Sequence, residues 1–215
     1  MVSPLVSAAA VAKSYRRGNE TVHALRGVDL DVAPGQITAI RGESGSGKTT
    51  LLALLCGWET PDQGRIARAG GTDWCDIALI PQSLGLLDDL TIGENILLPT
   101  RLQRQRTLQE PSDVDEHADT LMRRLGLAEL IDRHPNQTSL GEQQRAAVAR
   151  ALVLRPPLVL ADEPTAHQDH GWADAVLAVM REHARHGAAF VLVSHHAQAW
   201  DAADRLLTMA DGALS

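Results

Sequence analysis

Between Gly42 and Thr49 the chain reads Gly-Glu-Ser-Gly-Ser-Gly-Lys-Thr, a spacing with one strong chemical use. Glycines let successive backbone N–H groups curl around an anion, and a helix opening at Gly47 turns the positive end of its dipole to the same point. The segment matches G-x-x-x-x-G-K-[ST] in full, between the apolar stretch Ile37 to Ile40 and the helix-like run Leu51 to Cys56. That strand–loop–helix setting is what the motif requires. Gly42, Ser44, Gly45, Ser46, Gly47 and Thr50 are therefore candidates to cradle a nucleotide's phosphates, Lys48 to reach the outer ones and Thr49 to ligate magnesium. Arginine is the default cation of this chain; the two lysines are Lys13 and Lys48, so a lysine at the motif position carries weight.

A second constellation closes the apolar run Leu158 to Ala161, where Asp162 and Glu163 stand side by side before a proline. Adjacent carboxylates at a strand end face different ways and can take separate tasks. Asp162 is suited to hold magnesium, directly or through water, and Glu163 to polarise the water that attacks a γ-phosphate.

Short, continuously apolar runs position these groups. Ile37 to Ile40, Leu158 to Ala161 and Phe190 to Val193 have the character of strands buried on both faces of a parallel sheet. Trp172 to His186, with Trp172, Ala175, Val176, Val179, Met180 and His183 at helical spacing, reads as a crossover helix between the last two. Thr91 to His134 has helical patterns, with Leu121, Met122, Leu125, Leu130 and Ile131 on one face, while Leu102 to Asp115 reads as a connection. Ile92, Ile96, Leu97 and Leu98 fit either a groove for a partner helix or the core.

At 215 residues the chain fits one domain with a real core, and no run of about eighteen apolar residues is present to span a bilayer. A net charge of −7 argues against sequence-independent nucleic-acid binding, which needs a basic face. Cys56 and Cys75 have neither metal-ligand spacing nor the density of a disulfide scaffold, which fits a reducing cytosol. Of nine histidines, the pairs His167 with His170 and His183 with His186 lack an acid or cysteine cluster to complete a transition-metal site. Trp58, Trp74, Trp172 and Trp200 are scattered, as packing residues are.

Read together with their neighbours, these motifs resemble the ATPase subunit of ABC transporters, over nearly the whole chain and in that family's motif order. The resemblance implies that Tyr15 stacks on adenine, and that Gln82, in Ile80-Pro-Gln82, approaches magnesium and the attacking water while coupling to a membrane partner. It implies that His195, in Val193-Ser-His195, touches the γ-phosphate, and that Asp169, in Ala166-His-Gln-Asp169, lies on a loop crossing to a second subunit. The segment Thr138 to Arg145 resembles the family's signature, in which Ser139 and Gly141 open a helix whose positive end faces the phosphate held by the opposite copy.

The expected fold is α/β: a P-loop NTPase of the ABC type in a single domain 1–215, with a mostly parallel core sheet, an N-terminal antiparallel β part and a helical insertion at roughly 91–150. The expected chemistry is ATP hydrolysis with Mg2+. The implied partners are a second copy or a paralogue and an integral membrane permease, without nucleic acid; the implied location is cytoplasmic, peripheral on the inner face of the membrane. The opening Val22 to Leu30 is most similar to the lipoprotein-releasing, macrolide-export and cell-division branch.

The signature departs from the family at Leu140, where glycine is usual: a leucine that crowds the phosphate or the partner's loop slows turnover, and one that points away leaves the site working normally. Gln168 replaces an apolar residue, and His196 follows His195 where an acid is more frequent. Two other functions compete. A non-transport ABC ATPase acting on DNA or the ribosome usually carries a coiled coil, a zinc insertion or a tandem second domain, none of which is in this sequence. A module that only closes on ATP is disfavoured by Glu163 and His195 and favoured by Leu140.

Overall fold

The computed structural model describes residues 3–70, 75–107 and 112–215. Two long antiparallel strands come first, β1 (Val6–Arg17) and β2 (Glu20–Val32), joined at Gly18 and Asn19. β3 (Ile37–Arg41) starts a second sheet and leads into α1 (Lys48–Cys56). β4 (Gln63–Arg68) returns to the first sheet as an antiparallel neighbour of β1, giving the order β2-β1-β4. β5 (Ile77–Ile80) belongs to the second sheet. Three helices follow, α2 (Ile92–Thr107), α3 (Ser112–Arg124) and α4 (Leu140–Leu152). The chain ends with β6 (Leu158–Asp162), α5 (His170–Arg185), β7 (Ala189–Val193), α6 (Ala197–Asp201), β8 (Arg205–Ala210) and β9 (Ala213–Leu214).

The second sheet has the order β5-β6-β7-β3-β8-β9, and every pair in it is parallel except β8 with β9. All residues of β6 and β7 are buried, the expected state of continuously apolar strands covered on both faces. Side-chain alternation divides them between two cores. Leu158, Leu160, Val191 and Val193 pack with Leu51, Leu54 and Leu55 of α1 and with the antiparallel sheet. Val159, Ala161, Phe190 and Leu192 face the opposite way, onto Val148, Leu152, Val176 and Met180 of α4 and α5. Phe190, the chain's single phenylalanine, is fully buried there, so truncating it to alanine would cost about 3–5 kcal/mol.

Register decides where the loops meet. Ile40 lies opposite Val193, Val193 opposite Asp162, and Ile80 opposite Ala161. Four parallel strands thus end at one edge, and the segments that follow them are delivered to a common crevice.

The helical region is made by α2, α3 and α4, between Ile92 and Leu152. Ile92 and Ile96 are fully buried in the core, which settles the groove alternative for that pair in favour of packing. Leu121, Met122, Leu125 and Leu130 are buried as expected, whereas Ile131 is exposed. The connection expected over Leu102 to Asp115 is largely helical: α2 continues to Thr107 and α3 begins at Ser112. Arginine, glutamine and leucine are good helix formers, which outweighs the loop-like impression of the glutamines, arginines and acidic residues in this stretch. Residues 108–111 of that stretch, and Trp74, lie outside the described residues. Cys56 is buried and Cys75 half-buried. Among the described residues no helix is long and apolar enough to cross a membrane.

Candidate functional site: a phosphate cradle and a separate helix tip

The loop after β3 reaches α1 through Gly47, whose φ of 108° lies in the left-handed region. A Cβ at Gly47 would stand 2.3 Å from the carbonyl oxygen of Ala24, so both space and conformation require glycine. Lys48 folds back over the loop and donates to the carbonyls of Gly42 (2.8 Å) and Glu43 (2.6 Å) and to Ser46 Oγ (3.2 Å). Its ammonium thereby sits inside the arc where an anion would be gripped. A cavity of about 600 Å3 opens here, lined by Gly42, Ser44, Gly45, Gly47, Lys48, Thr49 and Thr50 together with Tyr15, Gln82, Asp162, Glu163 and His195. Twelve expected site residues therefore share one crevice, and Ser46 underpins it as a buried side chain.

Thr49 Oγ1 donates to Asp162 Oδ2 at 2.8 Å, linking the start of α1 to the end of β6. Burial pushes the Asp162 carboxyl above its usual range, helped by the charge of Glu163 and opposed by the Thr49 hydrogen bond. Hydroxyl, carboxylate and the Gln82 amide are hard oxygen donors, a set that fits Mg2+.

Glu163 lies just past β6 with φ 54°, an uncommon conformation for a residue with a Cβ. Three groups on the segment after β7 hold its carboxylate. Ser194 Oγ donates to Oε2 at 3.0 Å, and the His195 backbone N–H donates to Oε1 at 3.1 Å. The His195 ring donates from Nδ1 to Oε1 at 2.7 Å. Ser194 is fully buried and was not picked out from the sequence; a polar residue closing an apolar strand was the available signal.

Tyr15, at the rim, is held by its neighbours. Its hydroxyl meets Glu59 and Thr50, and partial burial raises its pKa above the usual phenol value. Lys13 explains its own survival as a lysine. Its Nζ donates to Thr60 O at 2.8 Å, pairs with Glu59 at 3.1 Å and lies 5.5 Å from the centre of the Tyr15 ring. The hydrogen bond to Glu59 holds the Lys13 pKa above its ordinary value.

Ser139, Gly141 and Asp169 are not in this crevice. They line a second cavity of about 460 Å3 with Leu140, Glu142, Arg145, His167, Gln168 and Trp172. Ser139 caps α4 in a reciprocal box: its Oγ accepts from Glu142 N at 3.3 Å, while Glu142 Oε2 accepts from Ser139 N at 2.7 Å. Asp169 caps α5 by accepting from Trp172 N at 2.9 Å, a structural task besides the one its loop implied. Leu140, the first residue of α4, is 55% exposed. Arg145 is buried, donates from Nε to Leu125 O at 2.8 Å and lies 4.1 Å over the Trp172 ring.

A glycine-lined anion cradle at the C-terminal edge of a parallel sheet, faced by a lysine, a hydroxyl and two carboxylates, defines a P-loop nucleotide-binding protein. The chain belongs to the ABC transporter family, whose model matches residues 25–166, and is one of its ATP-binding proteins. It is 38% identical over 225 residues to the lipoprotein-releasing system ATP-binding protein LolD of Anaeromyxobacter dehalogenans, covering 99% of this chain and 93% of that one. Identity to LolD of Shewanella oneidensis is 39% over 228 residues, covering 100% and 97%. The macrolide export ATP-binding/permease protein MacB of Chlorobaculum tepidum is 35% identical over 214 residues, which are 94% of this chain and 32% of that protein. A solved dimeric ATP-binding cassette, in a post-hydrolysis state with ADP and Pi, has a TM-score of 0.87 at 28% identity and covers 98% of this chain and 96% of that one. The branch suggested by the opening strands and the α/β fold expected from the motifs both agree with these likenesses.

Proposed function

We propose that the chain is the ATP-hydrolysing subunit of a membrane machine, and that it works as a pair of copies enclosing two nucleotides. The carrying observation is the division of the site. The cradle from Gly42 to Thr50 and the helix tip with Ser139 and Gly141 occupy different cavities of one chain. A second copy supplies the missing half of each, and the likeness to a dimeric cassette supports that arrangement.

In this reading Tyr15 stacks on adenine, and Lys48 exchanges its carbonyl partners for the outer phosphates while the loop's N–H groups surround them. Thr49, Asp162 and Gln82 would hold Mg2+, which supplies positive charge beside the phosphates as negative charge moves during transfer. Ser139 and Gly141 of the second copy close on the γ-phosphate, and Asp169 stands at the crossing loop. Glu163, aimed by Ser194 and by the N–H and ring of His195, accepts a proton from the attacking water. The water oxygen bonds to the γ-phosphorus as the bond to ADP breaks, and the loss of phosphate lets the pair reopen. His195, 67% exposed in its side chain, is also within reach of the γ-phosphate in this scheme.

The likeness to LolD and MacB supports an integral membrane permease as partner and a place on the cytoplasmic face of the membrane, with Gln82 reporting between the two. The partner-side test is a pull-down of the tagged chain from detergent-solubilised membranes. Recovery of a multi-spanning protein is expected, and its absence, with ATP-dependent hydrolysis intact, would remove the membrane assignment. The Leu140 side chain, exposed at the tip that would meet the phosphate, supports slow turnover.

A further inference from the structure

Glu163, His195 and His196 bring three potential ligand atoms within 4.8 Å of one another. We infer that they form a binding site for a divalent transition-metal ion of the zinc class, distinct from the oxygen-donor set of Thr49 and Asp162.

Neighbouring residues in an extended chain usually point apart, yet the His195 and His196 rings stand with centroids 4.0 Å apart, tilted by 38°. The segment after β7 turns both imidazoles to one side, where Glu163 meets them. The His196 ring makes no capping bond to α6, the helix it precedes. Glu163 is already oriented as a metal-binding carboxylate is: its side chain is only 12% exposed, and Ser194 Oγ occupies Oε2 at 3.0 Å. A partner on the far oxygen is the usual support for such a ligand.

Bonds of about 2.0–2.2 Å to a tetrahedral ion place ligand atoms roughly 3.3 Å apart. As a ligand His195 Nδ1 gives up the proton it now donates to Glu163 Oε1, the neutral ring keeping a proton on Nε2 instead; the two atoms, 2.7 Å apart, then need separate only slightly, and both histidines are exposed enough to swing. Two imidazoles and one carboxylate suit zinc, cobalt or nickel, whereas magnesium prefers an all-oxygen set. The fourth position is left for water.

A metal so held takes the electron pairs of Glu163 and His195 and blocks hydrolysis while leaving the phosphate cradle free. That inhibitory consequence rests on the role proposed above for Glu163; the site itself does not.

The site is tested by adding CoCl2 to nucleotide-free, magnesium-free protein and following the visible absorption of tetrahedral Co2+. One Co2+ per chain is expected, displaced by ZnCl2. His196→Asn should weaken binding by about tenfold or more, while the double variant His167→Asn/His170→Asn should bind as the unaltered protein does. Equal cobalt affinity in His196→Asn overturns the site. Inhibition is read separately, as phosphate release against ZnCl2 with each protein normalised to its own zinc-free rate. His196→Asn should tolerate about tenfold more zinc. Cobalt binding that depends on His196 but leaves hydrolysis unaffected would overturn the inhibitory consequence alone.

Discussion

The side-chain amide of Gln168 donates to the carbonyl of Gly141 at 2.8 Å, so the loop 166–169 is tied to the first turn of α4. The other end of the same amide accepts from Arg145 Nη1 at 3.0 Å. A Cβ on Gly141 would lie 2.8 Å from His167 O, so loop and helix tip meet backbone to backbone. The two segments that the ABC resemblance assigns to the far side of the nucleotide are therefore one mechanical unit. An apolar residue, which the ABC resemblance implies at this position, would make neither hydrogen bond.

Gln168→Leu should leave the buried Arg145 guanidinium without one acceptor and remove the side-chain donor from Gly141 O. The expected loss of stability is about 1–3 kcal/mol, read as a lower urea midpoint with an unchanged slope. Gln168→Glu keeps an acceptor for Arg145 and should recover part of the loss. An unshifted midpoint in the leucine variant would show that the clamp contributes nothing.

Glu163→Gln keeps one acceptor oxygen for the N–H and ring of His195, while its NH2 can donate to Ser194 Oγ, but it cannot take a proton from water. Phosphate release should fall by about 10²–10⁴-fold while ATP still binds, and a long-lived ATP-bound pair should appear by size-exclusion chromatography. Turnover at the original rate would mean that another group is the base.

The three buried strands β3, β6 and β7 were legible because continuous apolar runs have few alternatives. β5 and β8 were not read as strands. Ile77 to Ile80 is short, and β8 alternates burial behind charged Arg205, so neither stands out locally; pairing with β6 and β3 decides both. The loop that lines the larger cavity was legible because the motif's spacing is local in the chain. Ser194 and the Gln168 clamp were not, because their roles depend on loops that sequence separation hides: Ser194 lies 31 residues from Glu163, and Gln168 lies 27 from Gly141. In the sequence His196 is only a departure from an acid; the shared orientation of the two adjacent rings depends on the fold.

Gly47 and Gly45 separate space from conformation. Gly47→Ala brings a Cβ to 2.3 Å from Ala24 O at φ 108°, so the loop must move and affinity for ATP should fall by at least about tenfold. Gly45→Ala has φ 81° but meets nothing within 4 Å, so its loss should be smaller. Titration with a fluorescent ATP analogue measures both; the reverse ranking would place the critical contact elsewhere in the loop.

His183 predicts how stability responds to acid. Its Nδ1 donates to Val179 O at 2.9 Å, leaving Nε2 as an acceptor 3.2 Å from His117 Nε2. Burial lowers its pKa below 6.5; Arg155 and Arg124 also lower it, while the Val179 hydrogen bond and Glu182 act the other way. The unfolded chain then takes up a proton near pH 6.5 that the folded chain refuses. This group's stability is complete above about pH 6.5 and is lost as pH falls through that value toward the folded-state pKa. His183→Phe should flatten the fall of the urea midpoint between about pH 7.5 and 5.5. An identical slope in the variant would move the acid sensitivity to other residues.

Leu140 is where rate and stability should part. It is the first residue of α4, 55% exposed, beside the serine that would approach the partner's phosphate. Removing an exposed side chain opens no cavity, so Leu140→Gly should cost only the backbone freedom of glycine, about 0.5–1 kcal/mol. If that side chain obstructs closure, the same change should raise steady-state hydrolysis, measured with the membrane partner present, by at least about threefold, or ~0.65 kcal/mol off the barrier. Leu140→Ala, which shortens the side chain without loosening the helix start, should give part of the gain at almost no cost in stability. A general loosening of the tip predicts instead that glycine is faster and alanine unchanged. No gain in either variant would mean that the leucine lies clear of the closing pair and that any slowness of turnover originates elsewhere.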